Sequence, residues 1–122
     1  MIGEFLVLLA LTGGPVEAVK ASPEPSGASK RVCRRKCRMR RRVRPWNAKL
    51  ERMADCESDK RWHLDAYHDG GLQFHPDTWW ATGATGYAWQ HTKLEQKYRA
   101  VIWHDKIGTW VTSAGWPNCG YA

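Results

Sequence analysis

Twelve of the 19 Lys and Arg side chains of this 122-residue chain lie between Lys30 and Arg52, where Glu51 is the only acid. Charges set that densely repel one another and cannot enter an apolar interior without partners, so a core must be assembled elsewhere. From Met53 onward the balance reverses, to six basic against eight acidic side chains. The sequence pI of about 9.5 therefore describes an arm and not the part that folds. Eight tryptophans, far above the usual share, supply large buried area per residue and exclude disorder throughout. The length allows one small domain with appendages. The mean hydropathy of −0.60 and the lack of any apolar run of about 18 residues exclude a multi-span membrane protein.

Three segments follow from this. Residues 1–21 read as a secretory signal: an apolar stretch from Phe5 to Leu11, a Gly13-Gly14-Pro15 break, then small residues around Ala18 and Ala21, although the start carries Glu4 and no Lys or Arg. Residues 22–44 form a Pro/Ser linker, expected to be disordered, and the Arg-rich arm. The arm is either a solvated, self-repelling tail or an attractor of polyanions, and its arginine density favours the second. Nucleic acid, anionic lipid and anionic wall polymers are the candidates. Nucleic acid is disfavoured because no aromatics are interleaved to stack on bases.

Residues 45–122 carry the folding pattern. Pro45 suits a first helical turn, and Trp46, Leu50, Met53, Ala54 and Glu57 follow at offsets 0, 4, 7, 8 and 11 on one helical face. Glu57 stands where the next core residue would be. It is either a surface charge at a frayed helix end or a desolvated acid with a raised pKa. Leu94, Tyr98, Val101, Ile102 and Asp105 repeat the spacing, predicting a second helix over Thr92 to Lys106, ended by Gly108. Gly70-Gly71 permits either a hairpin turn or close backbone approach to a ligand. A short helix is expected to start at Pro76. His63, His68 and His75 lack metal-ligand spacing and read as loop residues, so no metal and no cofactor is expected. Four cysteines allow three pairings.

Taken in order, Cys56-Glu57-Ser58, Trp62, Gly70-Gly71-Leu72-Gln73-Phe74, Thr78-Trp79, Gln96 and Gly115-Trp116-Pro117-Asn118-Cys119 resemble the catalytic domain of the resuscitation-promoting factors. These are secreted cell-wall enzymes with a small lysozyme-like fold. The resemblance spans about Trp46 to Cys119. It departs where Asp59-Lys60 replaces the family's Gly-Gly, where the segment between Trp62 and Gly70 is short, and where Gly108 to Ala114 reads as an insertion.

The implied fold is α+β and mainly helical, with a short β-hairpin region. The implied activity is cleavage of MurNAc-β-1,4-GlcNAc bonds in peptidoglycan by a glycosidase or lytic transglycosylase, with Glu57 as the general acid. Such an acid must stay protonated near neutral pH, which an apolar setting provides. Hydrolysis would want a second carboxylate, and no motif singles out Asp65, Asp69 or Asp77; the transglycosylase route needs none. The resemblance also implies Gln73 and Thr78 as substrate-binding positions, beside their simpler readings as a turn-stabilising amide and a helix cap. Trp79 or Trp80 is a candidate sugar platform. The resemblance implies a Cys56–Cys119 disulfide, while Cys33 and Cys37 are left open between pairing with each other, with another chain or with nothing. The expected protein is a secreted or wall-associated monomer that acts on glycan strands and is retained by its arm on anionic wall polymers. The rival expectation is a catalytically inactive glycan-binding protein.

Overall fold

The computed structural model describes residues 27–122, with side chains from residue 34 onward. The signal-like segment, residues 22–26 of the linker and the side chain of Cys33 lie outside the described residues. The chain divides into two units, Met1–Cys33 and Arg34–Ala122, and the second holds the fold. Its long helices are α1 (Gly27–Val43, which begins in the first unit), α2 (Asn47–Ser58) and α4 (Lys93–Ile107). A short α3 (Pro76–Ala81) and single 3-10 turns at Arg44–Trp46, Ala88–Gln90 and Cys119–Tyr121 complete the elements.

The arm is the first correction. Residues 27–29, expected to belong to a disordered linker, and the basic arm after them form α1, and the second unit begins at Arg34. Arg35, Met39, Arg42 and Val43 fall on one helical face. Met39 and Val43 are each 3% exposed. Arg35 pairs with Glu95 at 2.9 Å and Arg42 with Asp105 at 2.5 Å, so both flanking charges of the buried stripe are neutralised by α4.

The helix read from Trp46 onward is present as α2, after a 3-10 turn in which Pro45 contributes its fixed φ. Leu50, Met53 and Ala54 are fully buried against Leu72, Phe74, Ala100 and Val101. α4 starts where the sequence predicts: the Thr92 hydroxyl caps it by accepting from the Glu95 N–H, and Gly108 ends it at φ +84°. Between α2 and α4, the Lys97 ammonium is nearly buried. It donates to Asn47 Oδ1 at 2.5 Å and pairs with Glu51. Burial alone would oppose ionisation of Glu51, yet hydrogen bonds from Lys93 and Lys97 hold its carboxyl down to about 2.

The expected β-hairpin is the second correction. Among the described residues there is no strand; Asp69 and Phe74 form one isolated antiparallel bridge around a tight loop. The loop is pinned from outside instead. Gln96, fully buried, accepts from the Gly71 N–H at 2.9 Å and donates to the Trp62 carbonyl at 2.7 Å. The Gly71 carbonyl accepts from the Ser58 hydroxyl, and the Leu72 carbonyl accepts from the Trp116 indole, each at 2.7 Å. The glycines serve this packing and not a ligand: a Cβ on Gly70 would lie 2.5 Å from Gln96 Oε1, and one on Gly71 would lie 2.5 Å from the Trp62 ring.

The tail is tied by the Cys56–Cys119 disulfide, with Cα atoms 5.7 Å apart and a sequence separation of 63. In the chain-entropy account, closing a loop of that size stabilises the fold by about 4 kcal/mol. Lys49 adds hydrogen bonds to the Gly120 and Ala122 carbonyls at 2.7 and 3.0 Å.

α2 ends in a Schellman-like turn, with the Lys60 N–H bonded to the Ala54 carbonyl and Asp59 and Lys60 both left-handed, at φ +55° and +59°. Aspartate tolerates that region; lysine does so only at a cost of about 1–2 kcal/mol. A glycine would meet this backbone without steric cost, and this chain accepts the strain. Lys60→Gly should raise unfolding free energy by about 0.5–1 kcal/mol in denaturant titration, the relieved strain exceeding glycine's extra unfolded-state entropy. Lys60→Ala, which removes only the exposed 3.4 Å contact with Glu51, should give no gain.

Candidate active site

Glu57 occupies the last turn of α2, one residue after the disulfide cysteine and one before the buried Ser58 that fixes the Gly71 carbonyl. Its side chain opens into a cleft of about 480 Å³, within the range of ligand-binding clefts, roughly 300–1,000 Å³. The floor and one side come from the pinned loop and α3 (Gln73, Phe74, His75, Thr78). The opposite wall comes from Trp103 of α4 and the segment Ser113 to Asn118. Burial pushes the Glu57 carboxyl above its ordinary pKa, and no cation or donor among the described residues bonds to it. Among the described residues it is also the only carboxylate lining the cleft.

Gln73 lies beside it in an unusual backbone state, at φ +49°. Its carboxamide nitrogen donates to the Glu57 backbone carbonyl, one of the α2 carbonyls that the helix itself leaves without a partner. Strain at a non-glycine residue that persists beside a cleft shows that the surroundings over-determine its position. The amide is thereby fixed at the acid, and its oxygen is left for other acceptor duty. Thr78 lines the same cleft but does not cap its helix. That role falls to His75, whose Nδ1 accepts from the Asp77 N–H at 3.1 Å and whose Nε2 lies 3.3 Å from the Tyr67 hydroxyl.

Glu57, Gln73 and Thr78 are thus brought together, and Trp79 is not. Trp79 is completely buried, packs edge-on against Phe74, and donates its indole N–H to the Thr85 carbonyl at 3.0 Å. It is a core residue with no face for a sugar. Trp80 is 43% exposed but lies against Tyr87, its indole donating to Gly86, and it does not line the cleft. The tryptophans that do are Trp116 and Trp103. Trp103 was missed by sequence reasoning because its position falls outside the apolar stripe of α4. Its indole N–H donates to the Ala114 carbonyl at 2.6 Å and so fixes the wall built by the apparent insertion.

The other acids lie elsewhere. Asp65 and Asp69 border a separate hollow of about 260 Å³ with Pro76, Tyr87 and Trp89. Burial raises the Asp69 pKa, partly offset by N–H bonds from Trp89 and Ala88. Among the described residues no group of three or more His, Cys, Asp or Glu is placed to hold a metal ion, and no helix is long and apolar enough to cross a membrane.

Comparison with known proteins shows the family. Residues 45–119 match the transglycosylase-like domain family. The chain is 39% identical over 71 residues to resuscitation-promoting factor Rpf of Micrococcus luteus, covering 57% of this chain and 30% of that protein. It is 29% identical over 75 residues to resuscitation-promoting factor Rpf2 of Corynebacterium glutamicum, covering 60% of this chain and 20% of that protein. The chain therefore spans less than a third of the length of these relatives. No solved structure matches it significantly.

A desolvated, unpartnered Glu57 carries a stability penalty. Its folded-state pKa lies above the unfolded value, so the wild type loses stability as pH rises from the unfolded pKa through the folded one, and the loss is complete above both. Glu57→Gln keeps the shape and removes the titration. The variant should melt higher than the wild type at neutral pH, on the order of a few degrees, with the difference vanishing below the carboxylate range. Thermal melts of both proteins from pH 3 to pH 8 check this; equal melting temperatures at every pH would refute it.

Proposed function

The chain belongs to the transglycosylase-like domain family, and from that premise we propose that it cleaves the glycan strands of peptidoglycan between MurNAc and GlcNAc, with Glu57 as the sole acid–base group. The observation that carries this reading is Glu57 itself: a carboxyl with a raised pKa in a cleft lined by no other carboxylate. A glycosidic oxygen is a poor leaving group until it is protonated, and desolvation shifts the Glu57 carboxyl toward the protonated form that this step needs.

The protonated Glu57 donates to the bridging oxygen as the bond to the MurNAc anomeric carbon breaks. The 6-hydroxyl of the same MurNAc attacks that carbon, and its proton passes to the Glu57 carboxylate, which restores the acid. No water is consumed, and the product is a 1,6-anhydro sugar. The alternative outcome, hydrolysis with a second carboxylate, wants a partner about 5–9.5 Å from the acid, and none of the described residues lining the cleft supplies one. That absence among the lining residues favours transglycosylation. The reaction calls for no cofactor.

Gln73, tethered to the backbone of Glu57, is proposed to accept a hydrogen bond from a substrate N-acetyl or hydroxyl group, and Thr78 to bond a second one. Trp103 takes the place in this scheme that the sequence offered to Trp79, as an apolar wall for a sugar ring. A glycan polymer of this kind lies outside the cytoplasmic membrane, and the Cys56–Cys119 disulfide suits an oxidising compartment, so the protein is proposed to be secreted or wall-associated.

Mass spectrometry of soluble fragments released from purified peptidoglycan tests the reading. The wild type should release muropeptides one water lighter than hydrolytic products, and Glu57→Gln should release them at least about 100-fold more slowly. The rate should fall as pH rises through the Glu57 titration, because the active form is protonated. Products of full mass would replace transglycosylation by hydrolysis. No release above the Glu57→Gln level, with folding verified, would leave a glycan-binding protein without turnover.

A further inference from the structure

We infer that the outer face of α1 is a binding surface for a linear phosphodiester polymer without bases, of the poly(alditol phosphate) kind. Within the folded unit, α1 is held to α4 by one face only: Arg35 and Arg42 pair with Glu95 and Asp105, and Met39 and Val43 are buried between them. Arg34, Lys36, Arg38, Arg40 and Arg41 of α1, with Arg44 just beyond it, are exposed and have no carboxylate partner among the described residues. At about 100° per residue, Arg40, Arg41 and Arg44 stand opposite the docked face, and Arg34 and Arg38 flank them.

Two features of this face select the partner. Like charges three and four residues apart on a helix repel, so Arg34 with Arg38 and Arg38 with Arg41 oppose the helix they stand on until a polyanion neutralises them. A docked helix also differs from a tail: its cations are held in a fixed row and lose little freedom on binding. Five of the six exposed cations are arginine, whose planar guanidinium bonds phosphate oxygens in pairs, where an ammonium acts as a point charge. No aromatic side chain stands on this face, so a strand bound there is read by its phosphates and not by stacked bases. Such a surface would retain the protein on an envelope polymer near its substrate. The retention role rests on the proposed cleavage of peptidoglycan; the binding chemistry does not.

The test uses the full oxidised chain and purified poly(glycerol phosphate), with affinity measured by tryptophan fluorescence or sedimentation over a range of salt. The wild type should bind at about 0.15 M salt and weaken steeply as salt rises. The Arg40→Gln/Arg41→Gln/Arg44→Gln variant should bind at least tenfold more weakly and lose about two to three from the slope of log K against log salt. Its melting temperature should not fall, because the substitutions remove repulsion and keep a helix-forming side chain. Glu57→Gln should bind the polymer as the wild type does, so a failure of cleavage and a failure of binding are read separately. Unchanged affinity in the triple variant overturns the inference. So does equal affinity for poly-γ-glutamate, which would make the surface indifferent to phosphate. Tighter binding to single-stranded DNA at equal charge overturns it in favour of nucleic acid.

Discussion

The buried carboxamide of Gln96 satisfies a stretch of backbone that has almost no secondary structure of its own. The loop from Asp69 to Phe74 lies in the interior with one β-bridge, so most of its peptide groups have no ladder to join. A buried peptide group without a partner costs about 1–3 kcal/mol. Gln96 covers the Gly71 N–H and the Trp62 carbonyl, Ser58 covers the Gly71 carbonyl, and Trp116 covers the Leu72 carbonyl. Three side chains from α2, α4 and the tail thereby do for this loop what a sheet does elsewhere. Close approach is needed for each bond, and that is why the loop has glycine at 70 and 71.

The cleft inherits its geometry from that arrangement. Gln73 belongs to the pinned loop, and its left-handed backbone turns the carboxamide onto the end of α2, where Glu57 sits. The disulfide holds the tail to the adjacent residue, Cys56, and the tail brings Trp116 and Asn118 to the cleft. Glu57 is thus fixed by its backbone and by both neighbours while its carboxyl is left without a partner. A desolvated acid is unfavourable by itself, and a frame joined by a covalent bond and several buried hydrogen bonds can carry it. The strain at Asp59 and Lys60, just past the acid, is borne by the same frame.

Periodicity carried the helices and stopped there. α2 and α4 were legible because apolar residues recur on one face, and the ends of α4 because Thr92 and Gly108 are a cap and a stop in any context. Glu57 was legible as the odd member of an apolar stripe. The expected hairpin did not appear because a Gly-Gly turn has the same local signature whether its partners are strands or distant side chains. Gln96 lies 25 residues from Gly71, and nothing periodic links them. Which tryptophans are core and which line the cleft was equally hidden. Trp79 carries the family motif and is buried, whereas Trp103 carries none and faces the cleft.

The docking of the basic segment was hidden for a related reason. Met39 and Val43 have helical spacing, but two apolar residues are a weak signal among so many arginines, and the anchoring acids belong to another helix. α4 supplies them, and it does so while serving two other neighbours. Glu95 and Asp105 meet α1, Lys97 meets Asn47 and Glu51 of α2, and Gln96 and Trp103, seven residues apart and so on one face, reach the loop and the cleft. A helix enclosed on three sides cannot keep a simple division into apolar and polar faces. Its buried polar side chains, Glu95, Gln96 and Lys97, are consecutive, and each points to a different partner. The basic helix and the acid-bearing cleft are therefore joined through one element: a change that loosens Gln96 removes two of the bonds that hold the loop beside Glu57, and one that neutralises Glu95 removes the Arg35 anchor of α1 and also strips Arg99 of its carboxylate partner.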